Sequence, residues 1–180
     1  MSINRRHFLA SSSLLLTPTI GSAAQSDKVV VAVMGMSRGM ALARTFSSLA
    51  NVDVAYVCDV DKKRVETAAD NLQKQGKTRP RTENDFRRIL DDKAVDALVI
   101  ASPNHWHAPA TILACSAGKH VYVEKPCSHT PQEGEWMIEA SHKNKRLVQV
   151  GTQRRSWPAI QEAIARLHEG ELGRVYFAQA

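Results

Sequence analysis

The sequence predicts an α/β protein built on a doubly wound parallel sheet, and two observations carry that expectation. From Lys28 onward, short β-rich runs alternate with segments of helical period, the arrangement of a parallel sheet covered on both faces. Directly after the first run comes the glycine turn "GMSRG", where such a sheet passes from its first strand to its first helix.

The strand candidates, in order, are "KVVVAVM", "VDVAYVC", a weak run near "TRPRT", "VDALVIAS", "KHVYVE" and "RLVQV". Between them, apolar residues recur at helical spacing: Leu42, Ala43, Phe46, Leu49 and Ala50, then Val65, Ala68, Ala69 and Leu72, then Phe86, Ile89 and Leu90. Each set paints one helix face that can lie on the sheet. The helix before the last strand opens on "TPQE", in which Thr130 caps, Pro131 takes the first helical position and Glu133 completes a capping box. The chain from "EKP" to Thr130 is therefore a compact loop. Past Gly151 comes one more helix, with Ile160, Ala163, Ile164 and Leu167 on one face, and then a strand candidate, "RVYFAQ". A lone helix and strand do not close a core, so residues 28–150 read as one domain and 151–180 as the start of a second.

The first 24 residues stand apart from the fold. "NRRHFLASSSLLLTPTIGSAA" has paired arginines at Arg5 and Arg6, an apolar stretch from Phe8 to Ile20, and small residues at Ser22 and Ala24. This reads as a twin-arginine signal cut after Ala24, with the twin-arginine export machinery as partner and the periplasm as destination. The stretch is shorter than the roughly 20 residues of a membrane span and is diluted by serines and Pro18. That export route carries folded proteins, which points to a cofactor acquired beforehand.

Composition bounds the function classes. The 180 residues are 43% hydrophobic and 23% charged, as in ordinary globular proteins. Losing two arginines and no acid with the signal takes the formal charge of +6 to +4. The basic residues are interleaved with acids, as in "DKKRVETAAD" and "ENDFRRILDD", which makes a solvated surface and excludes a nucleic-acid face. Cys58, Cys115 and Cys127 are odd in number and without framework spacing, and read as free thiols. His105 with His107 and Cys127 with His129 lack the paired spacing of a metal centre, so no metal is expected.

The glycine turn holds as Gly35-x-x-x-Gly39, with Met36, Ser37 and Arg38 between, rather than as G-x-G-x-x-G. Its backbone still brings N–H groups toward a pyrophosphate at a helix start. The second strand ends at "CDVD", which places Asp59 24 residues beyond Gly35, close to where an acid binds the adenosine ribose hydroxyls. An acid there favours NAD over NADP, whose 2′-phosphate it would repel. In a doubly wound sheet ligands lie beyond the carboxyl ends of the strands. Ser102, Asn104, His105, Trp106 and His107 follow one such end, and Glu124 and Lys125 another.

These residues carry a family resemblance. "ASPNHWHAPATILACSAGKHVYVEKPCS", with "GTQRR" at 151–155, resembles the signature region of the Gfo/Idh/MocA oxidoreductases, and the likeness runs from Lys28 to the end. It implies a Rossmann domain carrying NAD(P) on Gly35, Met36, Ser37, Arg38, Gly39, Asp59, Ser102, Asn104, His105, His107, Glu124, Lys125 and Gln153. It further implies a second α/β domain that holds a sugar or polyol and often makes a homo-oligomer interface. By the same resemblance Lys125 is catalytic, beside nicotinamide and substrate hydroxyl, and its peptide bond to Pro126 is usually cis. Arg154, Arg155 and Trp157 would face the substrate, although Trp157 reads equally as a packing residue at a helix start. The glycine turn is one residue shorter than the common family pattern, and the family's second catalytic group, supplied by the second domain, has no counterpart in these residues. Two other readings stand beside the dehydrogenase: a glycosidase on the same fold that recycles its NAD, and a fragment that only binds nucleotide.

Overall fold

The computed structural model describes residues 28–177, so the expected signal lies outside the described residues. Six strands form one sheet: β1 (Val29–Met34), β2 (Val52–Cys58), β3 (Arg81–Glu83), β4 (Ala97–Ile100), β5 (His120–Glu124) and β6 (Val148–Gly151). Their order across the sheet is β3-β2-β1-β4-β5-β6, with every pair parallel. The helices are α1 (Gly39–Ser48), α2 (Lys62–Lys74), α3 (Phe86–Leu90), α4 (His107–Ser116), α5 (Pro131–Asn144) and α6 (Pro158–His168), with short 3-10 turns at Asn104–Trp106 and Gln153–Ser156.

Strand periodicity divides the core in two. Along β1, Val31 and Val33 pack with Leu42 and Ala43 of α1 and Val65, Ala68, Ala69 and Leu72 of α2. Ala32, between them, faces the other way, toward Phe86, Ile89 and Leu90 of α3, Ala110 and Ala114 of α4, and Met137 and Ala140 of α5. In β4, Leu98 and Ile100 join the second cluster while Val99 joins the first. Each fully buried Val, Leu or Ile contributes about 1.5–3 kcal/mol, so both faces are needed to hold the sheet. Helix ends are set locally. Asp61 accepts the Lys63 and Arg64 N–H groups at the start of α2, and Thr130 with Glu133 forms the expected capping box on α5.

The doubly wound sheet agrees with the sequence reading, and four details differ. The weak third strand lies at residues 81–83 rather than around 78–82. Helix α1 stops at Ser48, because Leu49 turns extended (ψ 135°) to lead into β2; Leu49 is exposed, and Ser47 is buried in its place. Of "RVYFAQ", residues 174–177 are described and form no strand, since no neighbouring edge among the described residues pairs with them. Helix α6 buries none of its residues, and its Ile160 and Ile164 are exposed.

Candidate functional site

The strand order reverses between β1 and β4, because the chain runs outward through β2 and β3 and then crosses back. Ligands of open parallel sheets bind at that switch, beyond the carboxyl ends. Gly35 stands there at φ +91°, where a Cβ would lie 2.6 Å from the Ala101 carbonyl carbon and oxygen and 2.7 Å from the Ser102 nitrogen. Both its conformation and its close approach to the end of β4 therefore require glycine. The turn is held by Gly35 N–H donating to Cys58 O at 2.8 Å and Gly39 N–H donating to Gly35 O at 2.9 Å. Helix α1 begins at Gly39, directly beyond it.

Asp59 ties this turn to β2. One carboxylate oxygen accepts the Met36 N–H at 2.7 Å and the other accepts the Asp61 N–H at 3.0 Å. A carboxylate has about four acceptor positions, so each oxygen keeps capacity for a ligand hydroxyl.

A cleft of about 370 Å³ opens beside the turn. Of the residues read from the sequence, it takes Gly35, Asp59, Ser102, His105 and Trp106. Val60, beside Asp59 after β2, also lines it, as do Asn84, Asp85, Phe86 and Arg87, which sequence reasoning missed because β3, whose end they follow, was too weak to place. The Phe86 and Trp106 rings meet edge to face at 6.1 Å, giving the cleft an aromatic wall. Hydrogen bonds from the Arg87 side chain lower the Asp85 carboxyl to about 2, so this pair stays ionic across the ordinary pH range. Burial, reinforced by Glu83 and Asp59, pushes the Cys58 thiol up to about 12, which keeps it protonated and inert. The Ser102 hydroxyl oxygen is buried without a hydrogen-bond partner among the described residues. A polar atom in that state in a cleft wall suits a polar ligand. Together with the bare glycine turn, it makes these residues fit a dinucleotide.

A second cluster lies along the same edge at β5. Glu124 is 5% exposed, accepts a hydrogen bond from Gln153 Nε2 at 2.6 Å, and lies 3.4 Å from Arg38 Nε of the glycine turn. Gln153 also donates to the Tyr122 hydroxyl at 3.0 Å, and Gly151 leaves room for this arrangement, since a Cβ there would stand 2.6 Å from that hydroxyl oxygen. Lys125, the next residue, is exposed, and its peptide bond to Pro126 is cis. Arg154, Arg155 and Trp157 are exposed around the turn that follows β6, with Trp157 at the start of α6. Ser37 is exposed on the glycine turn and Asn104 on the turn before α4, neither in the cleft lining.

The resemblance put both His105 and His107 at the cofactor, but the 3-10 turn and α4 wind the chain so that His105 is exposed and His107 is 1% exposed. Both of its ring nitrogens face backbone carbonyls, so it holds protein to protein rather than lining the cleft. Among the described residues, no three His, Cys, Asp or Glu side chains are grouped to hold a metal ion.

Fold and edge together define a dinucleotide-binding domain of the Rossmann type. Residues 28–152 match the oxidoreductase family with an NAD-binding Rossmann fold, and the chain belongs to that Gfo/Idh/MocA family. It is similar to an inositol 2-dehydrogenase of Salmonella typhimurium, at 31% identity over 148 residues, covering 82% of this chain and 43% of the relative. It is also similar to a glycosyl hydrolase family 109 protein of a Shewanella species, at 25% identity over 175 residues, covering 81% of this chain and 38% of the relative. Among solved structures, the myo-inositol 2-dehydrogenase of Lactobacillus plantarum shares the fold, with a TM-score of 0.73 at 24% identity over 82% of this chain and 43% of that one. The chain thus spans less than half the length of these relatives.

Proposed function

We propose that this chain is the nucleotide-binding part of an NAD-dependent oxidoreductase that acts on a sugar or polyol hydroxyl. The observation that carries the reading is the division of labour at the end of β5: Glu124 is buried and partnered, while Lys125 is exposed, with no hydrogen bond or ion pair among the described residues. The glycine turn, Asp59 and Ser102 would hold the dinucleotide, which when bound supplies the hydride acceptor. As the carbinol carbon gives up hydride, its O–H bond must break, and the Lys125 amine is the group available to take or relay that proton. Arg154, Arg155 and Trp157 are exposed at the start of the expected second domain and suit polar substrate oxygens. The test is polyol-dependent NAD reduction by a protein in which this part is joined to its substrate-holding domain. Glycoside cleavage without net reduction would instead favour a glycosidase, the activity named for the Shewanella relative.

Asp59 supports NAD over NADP, because a carboxylate beside the ribose repels a 2′-phosphate. Asp59→Asn keeps the shape and removes the charge, and is expected to raise NADPH affinity relative to NADH about tenfold, the size of roughly 1.4 kcal/mol of lost repulsion. Fluorescence titration of both cofactors measures the ratio, and an unchanged ratio would remove the argument from Asp59.

The proposed setting is the periplasm, reached by twin-arginine export. Its support is the Arg5–Arg6 pair and the apolar stretch after it. Changing both arginines to lysine is expected to retain the protein in the cytoplasm in a fractionation assay; equal periplasmic yield would refute the signal.

A further inference from the structure

We infer that His107 is a positioning residue that sets the spacing between the ends of β4 and β5, and through it the place of Lys125, which the proposed function sets beside the nicotinamide. The inference rests on the proposed cofactor role and goes beyond it, because it assigns that spacing to a side chain with no access to the cleft.

The backbone ladder between β4 and β5 ends at the Ile100–Val123 pair. Beyond it the two segments that carry the chemistry, Ser102 on one side and Lys125–Pro126 on the other, have no backbone hydrogen bonds between them among the described residues. The imidazole takes over at that point. Its Nε2 lies 2.9 Å from the Ser102 carbonyl oxygen and its Nδ1 2.5 Å from the Pro126 carbonyl oxygen. A neutral ring donates to one of these and an imidazolium to both. The ring is 1% exposed and stands at the start of α4, whose Ala108, Ala110 and Ala114 are locked in the core. A rigid planar group on a fixed helix holds two loops at one separation in a way that a flexible chain does not.

Without the ring, the Pro126 side is free to sample other positions, and a cofactor that needs one of them binds more weakly in proportion to its population. The loss should fall on the half of the cofactor over β4 and β5. The half toward Asp59, Asn84 and Phe86 lies against other elements. ADP-ribose, which lacks the nicotinamide, separates the two.

The test measures NADH and ADP-ribose binding calorimetrically to the unmodified chain, His107→Leu and His107→Gln. His107→Leu is expected to weaken NADH about tenfold, the order of a lost buried hydrogen-bond pair, and ADP-ribose less than about twofold. Glutamine, which can still donate to one carbonyl, is expected to recover part of the NADH loss. A merely structural residue would lower both ligands together. An equal fall, or no change in either, overturns the positioning role, and His107→Gln carries the same comparison if the leucine variant does not fold. Failure of the unmodified chain to bind NADH would overturn the proposed function instead.

Discussion

A chain with alanine in place of Gly35 is expected to melt roughly 4–20 °C lower and to lose NADH binding. The added methyl group would sit 2.6 Å from the carbonyl of Ala101 and 2.7 Å from the Ser102 nitrogen, closer than such atoms approach. Those atoms are backbone at the end of β4, a strand paired on both sides, and have no rotamer by which to move away. The residue also sits at φ +91°, which costs a non-glycine residue about 1–2 kcal/mol. Overpacking adds about 1–3 kcal/mol, and the sum is a large part of the about 5–15 kcal/mol that stabilises a domain. Gly76 provides the control. It has a comparable φ of +74° but nothing within 4 Å of its missing Cβ, so Gly76→Ala isolates the conformational cost. Should the two variants melt at the same temperature, the contact between the glycine turn and β4 would not be what requires Gly35.

The contrast between these glycines shows where the sequence was legible. A turn after a β-rich run places Gly35 at a strand end, but its pressure on Ala101 depends on β4 lying beside β1, a pairing between residues some 66 positions apart. The central strands were readable because burial on both faces demands unbroken apolar runs such as Val29–Val33. Strand β3 is an edge of three residues, Arg81, Thr82 and Glu83, with no such demand on it. Its faintness hid Asn84–Arg87, which the strand-end rule would otherwise have brought to the cleft. The burial of His107 was hidden for a different reason: the segment after β4 winds at once into a helix, and its own residues do not report which of them turn inward. Residues 174–177 of "RVYFAQ" have the composition of a strand, yet a strand exists only with a partner, and composition does not report partners.

In a protein that joins this nucleotide-binding part to its substrate-holding domain, replacing Lys125 with methionine is expected to lower polyol-dependent NAD reduction by about 10²–10⁴-fold, the usual contribution of a positioned acid or base. NADH should still bind, because the glycine turn, Asp59 and Ser102 are untouched. The argument begins in β5. Val121 and Val123 point into the core, and Glu124 ends the strand buried and bonded to Gln153, so the chain up to that residue is firmly placed. Lys125 inherits that placement while remaining exposed and unpaired among the described residues. An amine there can accept the proton released when the substrate O–H bond breaks, pass it to water, and return to its starting state. Arginine keeps the positive charge and much of the length but stays protonated at any working pH. Lys125→Arg is therefore expected to be nearly as slow as Lys125→Met if proton transfer is the role, and much faster if the charge alone polarises the developing carbonyl. Initial rates of NADH formation at saturating cofactor distinguish the variants. Turnover by Lys125→Met within a few-fold of the unmodified protein would remove Lys125 from the mechanism.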